Sequence, residues 1–276
     1  MLIQNDTELR KYLPNALTTV EGETPLYDKI SPYLAKAHAW LAKHFTGTDI
    51  LTAIEASAPA DPLRELCAHI VAVDAFRRAI PSLDLILTPN GFGIVSNQNI
   101  VPASADRVKR LIDSLLTNRD SLANTLLVSL AKRSDWLETE QAQFFGASLW
   151  PDLELSRMAG HSNELWAHYQ SLRLQVLSIE QELAEHFVSE ELITRLRHNM
   201  LTQQVTAEER TIIDAVRQTT LEMLAGKTLD YKRMFSTVQR IRTRPATFPE
   251  WQDSYTAMLF CRPSFENHKD SGGYWW

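Results

Sequence analysis

The sequence predicts a mainly α protein, two related helical bundles with one small β-hairpin. Three observations predict it. Apolar residues recur every three or four positions over most of the 276 residues. Helix-start residues, several of them followed by proline, precede these stretches. A long helix ending in His-Phe occurs twice, 142 positions apart, as His44-Phe45 and His186-Phe187.

The elements follow in order. Asn5 or Asp6 caps a short helix over Thr7–Leu13 that stops before Pro14. Thr24-Pro25 opens a long amphipathic helix with a stripe of Leu26, Ile30, Leu34, Ala37, Leu41 and Phe45; Pro32 kinks it or delays its start. Asp61-Pro62 opens another, running through Leu66, Ile70, Val73 and Phe76 towards Ile80-Pro81. The period then changes. Leu85-Ile86-Leu87 and Phe92-Gly93-Ile94-Val95 flank a Pro-Asn-Gly turn, which places a β-hairpin near 84–96. Ser104 caps the next helix, which Leu122–Leu130 extends or follows.

Between 134 and 158 the aromatics Trp136, Phe144, Phe145 and Trp150, broken by Gly146 and Pro151, read as a connector packed between the bundles. The second bundle, 159–276, carries helices over Leu165–Phe187, Ser189–Met200, Thr206–Leu224, Leu229–Ile241 and Pro249–Phe260. Thr206 and Glu209 have capping-box spacing, and Gly226 is placed to end its helix. With the 142-residue shift Tyr27 falls on Tyr169, Leu34 on Val176 and Leu41-Ala42 on Leu183-Ala184. A chance match of two amphipathic helices explains part of this; duplication of one bundle explains all of it. The hairpin has no partner in the second half.

Composition narrows function by exclusion. With 28 basic and 34 acidic residues the net charge is −6, which argues against a broad nucleic-acid surface. Cys67 and Cys261 stand in no metal-ligand or redox spacing and read as small core hydrophobes in a reducing compartment. The start of the chain lacks the pattern of a secretory signal, and no apolar run approaches the ~20 residues of a membrane span. The expected location is the cytoplasm, or a virion assembled there.

No catalytic, cofactor or metal constellation is found. Gly91-Phe92-Gly93 has Ser96 where a dinucleotide fingerprint needs its third glycine. His161 and His168, seven apart, could share a face as a metal pair but have no third ligand at fixed spacing. Cys67 and His69, at i and i+2 of a helix, point apart. The chain therefore reads as a protein without enzymatic activity or cofactor. Two features point to protein contacts. Arg240, Arg242 and Arg244 form a cationic cluster that either complements a helix C-terminus or meets an acidic neighbouring subunit or packaged nucleic acid. Phe265 and the aromatic run Tyr274-Trp275-Trp276, behind Gly272-Gly273, either fold back on this chain or dock into another subunit.

The N-terminal pattern ELRKYL, TPLYDKISPYLAKAHAWLAKHFTG and DPLRELCAHIVAVDAFRRAIP resembles phage head–tail connector adaptor proteins over about residues 1–130. LDLILTPNGFGIVSNQNIVPASADRVKRL, with the FENHKDSGGYWW tail, looks like an uncharacterised family of Bacteroidetes bacteria and their phages. The first resemblance implies an all-α ring subunit at the portal exit, with other virion or portal subunits, or copies of itself, as partners. The long second half departs from the usual small adaptor. The alternative is a helical protein-binding module of a bacterial host with a regulatory or scaffolding role.

Overall fold

A computed structural model describes residues 1–13, 24–83, 85–88, 91–94 and 104–260, the strands by their backbone alone. The described residues are mainly helical. They fall into two compact units: Met1–Arg173 with Leu201–Gln203, and Leu174–Met200 with Gln204–Trp276.

The first unit begins with α1 (Asp6–Tyr12), where the Asn5 side chain accepts the Glu8 N–H. Next come α2 (Leu26–Leu41), a π turn over Ala42–Thr46, α3 (Thr48–Ala56) and α4 (Pro62–Leu83). Pro25 is the N-cap of α2, with no side-chain cap bond; Thr24 does not hold the end of the helix. Pro32 sits inside the helix, and the Ser31 hydroxyl donates to the Asp28 carbonyl that Pro32 has no N–H to reach. Asp61 accepts the N–H groups of Leu63 and Arg64 at the head of α4, which runs past Pro81 to Leu83. The strands β1 (Leu85–Thr88) and β2 (Gly91–Ile94) pair antiparallel, Leu85 opposite Ile94 and Thr88 opposite Gly91.

Ala105–Leu130 is one continuous helix, α5. Short helices α6 (Ser134–Leu137), α7 (Glu140–Gly146) and α8 (Glu154–Met158) follow, then α9 (Leu165–Leu183). The core lies where α4 packs against α2 and α5. α4 is buried on nearly every side from Ala68 to Phe76 because it is flanked on two faces, by Leu34 and Leu41 and by Ala123, Leu126 and Leu130. The segment 134–158, set apart by its aromatics as a connector, belongs to this unit. Trp136, Phe145 and Trp150 are buried in it, and the division between the units falls after Arg173.

The second unit continues from α9 into a π turn over Ala184–Val188. It then builds α10 (Glu190–Leu201), α11 (Ala207–Leu224), α12 (Tyr231–Arg242), α13 (Pro249–Gln252) and α14 (Tyr255–Phe260). Thr206 and Glu209 form the capping box of α11, the hydroxyl accepting the Glu209 N–H and the carboxylate accepting the Thr206 N–H. Gly226, at φ 77°, follows its last turn. The core is drawn from Phe187, Leu192, Leu196, Ile212, Val216, Val238, Ile241 and Trp251, all nearly or fully buried.

Candidate functional site

The site is built around the π turns. In Ala42–Thr46 the helix takes in one extra residue, so the Gly47 N–H reaches back to the Ala42 carbonyl at 2.9 Å. The widened turn leaves the Phe45 carbonyl available, and the Trp136 indole N–H of α6 donates to it at 2.8 Å. Trp136 is fully buried, so an unmet N–H there would be costly. Gly47 leaves the turn at φ 81°, ψ 156°, a conformation that suits glycine.

The second unit holds the same arrangement. The Ser189 N–H meets the Ala184 carbonyl at 2.9 Å, and Trp251 of α13 donates to the Phe187 carbonyl at 2.8 Å. Ser189 adopts φ 77°, ψ 150° without being glycine. After each tryptophan a hydroxyl three residues on closes a short turn and caps the next helix. Thr139 donates to the Trp136 carbonyl and accepts the Ala142 N–H; Ser254 does the same with Trp251 and Ala257.

What lies beside the two turns differs. In the first unit Trp166, at the start of α9, covers the turn. Its ring centroid lies 5.3 Å from His44, 4.9 Å from Phe45, and 6.1 Å from both Phe144 and Phe145. Asp120 of α5 accepts the Trp166 N–H at 3.1 Å and so caps α9. Trp166 stacks on Tyr169, which is buried and donates its hydroxyl to the Trp150 carbonyl. Burial pushes the His44 pKa down, with the charges of Lys43 and Arg119 adding to it. The space left beside Trp166 is about 180 Å³.

In the second unit several apolar residues around the turn are open. Phe235, 115 positions beyond Asp120, is 53% exposed, and Leu259, 115 beyond Phe144, is also 53% exposed. Tyr231, Tyr255 and Met258 extend this apolar surface. A groove of about 540 Å³ runs beside it, lined by Glu185, His186, Glu190, Glu191, Tyr255, Thr256 and Leu259. Nearby, Phe187 packs against Tyr231, Phe235 and Phe260 at 6.0 to 6.4 Å, and at the groove Gln181 donates to both Glu185 and Glu190. The chemistry on offer is recognition of an apolar or aromatic side chain beside an acidic rim.

A buried charge cluster stiffens the first unit. Asp74 of α4 accepts from Arg77, Arg78 and Arg119, and Arg119 also pairs with Asp120 and lies 4.4 Å over the Trp40 ring. Burial pushes the Asp74 carboxyl up, but the Arg119 charge and the Arg77 and Arg78 hydrogen bonds outweigh it and hold the pKa below the ordinary value. In the second unit Thr219 and Met234 face each other instead, the Thr219 Oγ1 lying 3.6 Å from the Met234 Sδ.

The sequence-derived candidates separate as follows. Arg240, Arg242 and Arg244 are exposed around the end of α12, and among the described residues none of them forms an ion pair. Phe265, Tyr274, Trp275 and Trp276 lie outside the described residues. His161 and His168 stack face to face at 3.5 Å, with ring planes 11° apart. Among the described residues no three His, Cys, Asp or Glu side chains gather as metal ligands. His69 stacks on Tyr12, while burial and then the Asp61 and Glu55 charges push the Cys67 thiol up to about 12. Sequence reasoning missed Tyr231, Phe235, Tyr255, Met258 and Leu259. The available signal was Tyr231 and Phe235 one turn apart on α12, off the Met234–Val238–Ile241 core stripe.

Residues 13–146, just under half of the chain, match a family of unknown function, DUF6712. No curated protein and no solved structure matches the chain. Among the described residues no helix is long and apolar enough to cross a membrane.

Proposed function

We propose that the protein is a non-enzymatic assembly subunit made of two copies of one helical module, and that it takes another polypeptide on the exposed aromatic face of its second unit. The observation that carries this is the contrast at the two π turns. The first unit covers its turn with Trp166, whereas Phe235 and Leu259 stand open around the second. Contiguous exposed apolar surface with a charged rim is how protein-binding surfaces are built.

The duplication is supported by features that helical periodicity does not produce. Two π turns 142 positions apart each end in a residue at φ near 80°, and each is bonded through its Phe carbonyl by a tryptophan. The tryptophans, their Thr or Ser partners and the capped alanines share a single spacing.

The resemblance of the N-terminal pattern to head–tail connector adaptors supports a phage or prophage virion as the assembly, with portal or tail subunits or further copies as neighbours. The exposed arginines at the end of α12 offer a charged contact at the margin of that interface. Light-scattering mass measurement, alone and with portal or tail proteins encoded beside this gene, tests the reading. Ring-sized or mixed species that disappear in a Phe235→Asp, Leu259→Asp variant support it. A strict monomer that binds none of these neighbours refutes it.

A further inference from the structure

We infer that the occupant of the second-unit face is the aromatic segment Tyr274–Trp276 delivered by a second copy of the chain. This inference rests on the assembly reading above and names its partner. In the first unit the filler is a tryptophan followed by a tyrosine: Trp166 and Tyr169 close over His44, Phe45, Phe144 and Phe145. Trp166 lies twenty-one residues beyond Phe145 in the chain. The second unit presents His186, Phe187, Leu259 and Phe260 in the same order; Tyr231 and Phe235 lie against Phe187, while Leu259 stands half exposed at the groove. Beyond Phe260 the sequence supplies the missing side-chain types, Tyr274, Trp275 and Trp276, fourteen to sixteen residues on.

The spacer is long enough for delivery from a neighbour. Residues 266–273, Glu-Asn-His-Lys-Asp-Ser-Gly-Gly, are polar and glycine-ended, without an apolar stripe of their own. Thirteen residues separate Phe260 from Tyr274 and span about 45 Å when extended. The groove is lined by Leu259, one residue before the last described residue, so a return to it within one chain needs only a fraction of that length. About 45 Å exceeds the ~34 Å diameter of a sphere with the ~13 Å radius of gyration of a hundred-residue module. A segment that long reaches the same groove on an adjoining copy. Large, rigid aromatic rings in a pre-formed pocket are the side chains that dominate such interfaces.

The test uses three full-length proteins: the unaltered chain, a Trp275→Ala, Trp276→Ala variant, and a Leu259→Asp variant, each checked by circular dichroism for native helix content. The unaltered chain self-associates with rising concentration. Each variant alone weakens that association by about 30-fold or more, as expected for loss of an aromatic anchor. An equimolar mixture of the two variants recovers a dimer, because one partner keeps its groove and the other its tryptophans. No recovery on mixing, or association that survives loss of both tryptophans, overturns the inference. If association with virion neighbours is lost in Leu259→Asp but kept without the tryptophans, the surface reading stands and the proposed occupant is wrong. If neither variant changes any association, both fail.

Discussion

The indole N–H of Trp251 meets the main-chain carbonyl of Phe187 at 2.8 Å, and Trp136 meets that of Phe45 at the same distance. Both tryptophans are fully buried, so each bond satisfies a donor with no access to water. Trp136→Phe and Trp251→Phe keep most of the ring and leave the carbonyl unmet. Each is expected to cost about 1–3 kcal/mol, read as a lower denaturant midpoint at unchanged slope. A loss within experimental error at both sites would mean that the bonds do not hold the π turns.

The residues that leave the two turns give predictions of opposite sign. A Cβ on Gly47 would sit 3.1 Å from the Gln141 Oε1 at φ 81°, so Gly47→Ala is expected to destabilise by about 1–3 kcal/mol. Ser189 already bears that strain at φ 77°, while its Oγ accepts the Leu192 N–H at 3.2 Å. Replacing a capping serine by glycine costs only a few tenths of a kcal/mol. Ser189→Gly should therefore raise the melting temperature, and thermal scans of the pair decide it.

Asp74→Ala removes the common acceptor of three arginines, leaving the nearly buried Arg119 with Asp120 as its remaining carboxylate. A loss of about 3–5 kcal/mol is expected, as for removal of one member of a buried pair. Acid should act at the same place. The folded pKa of Asp74 lies below its ordinary 3.8, so its contribution is complete above pH 3.8 and fades as pH falls through the depressed value. Urea titrations of Asp74→Ala and the unaltered chain should show a constant gap above pH 3.8 that narrows as the pH falls below it.

A second pH effect lies higher. Burial lowers the pKa of both His44 and His69 from 6.5. The unfolded chain then binds protons first, so stability is full above pH 6.5 and declines as pH drops towards the folded values. His44→Gln and His69→Gln should flatten that slope; an unchanged slope in the double variant would assign it elsewhere.

Cys67, fully buried with its thiol pushed up to about 12, should resist alkylation in the native protein. In a Cys261→Ser background, mass spectrometry should show Cys67 labelling only under denaturing conditions.

The helices were legible because a 3.6-residue apolar period needs no knowledge of the partner face, and the caps at Asn5, Asp61 and Thr206 fall where their side chains direct. The π turns were not legible. One inserted residue leaves the composition of HAWLAKHFTG unremarkable, and its purpose shows only when Trp136, ninety-one positions away, reaches the freed carbonyl. Long-range pairs such as Asp74 with Arg119 are hidden for the same reason. An aromatic-rich run between two helical stretches can bridge two units or close the core of one, and sequence alone does not tell these apart; 134–158 lies within the first unit. The open face escaped notice because exposure of Phe235 depends on what covers it, which its own helix does not reveal.

A π turn holds one residue more than the α turn it replaces. Deleting a residue from 42–44 would restore a regular α turn with the flanking residues nearly in phase, but it would remove the wide turn that presents the Phe45 carbonyl to Trp136. The same holds for 184–186 and Trp251. Both stretches should therefore accept many changes of side chain but none of length, so frame-preserving deletions scanned along the gene should be rejected most sharply at these two places.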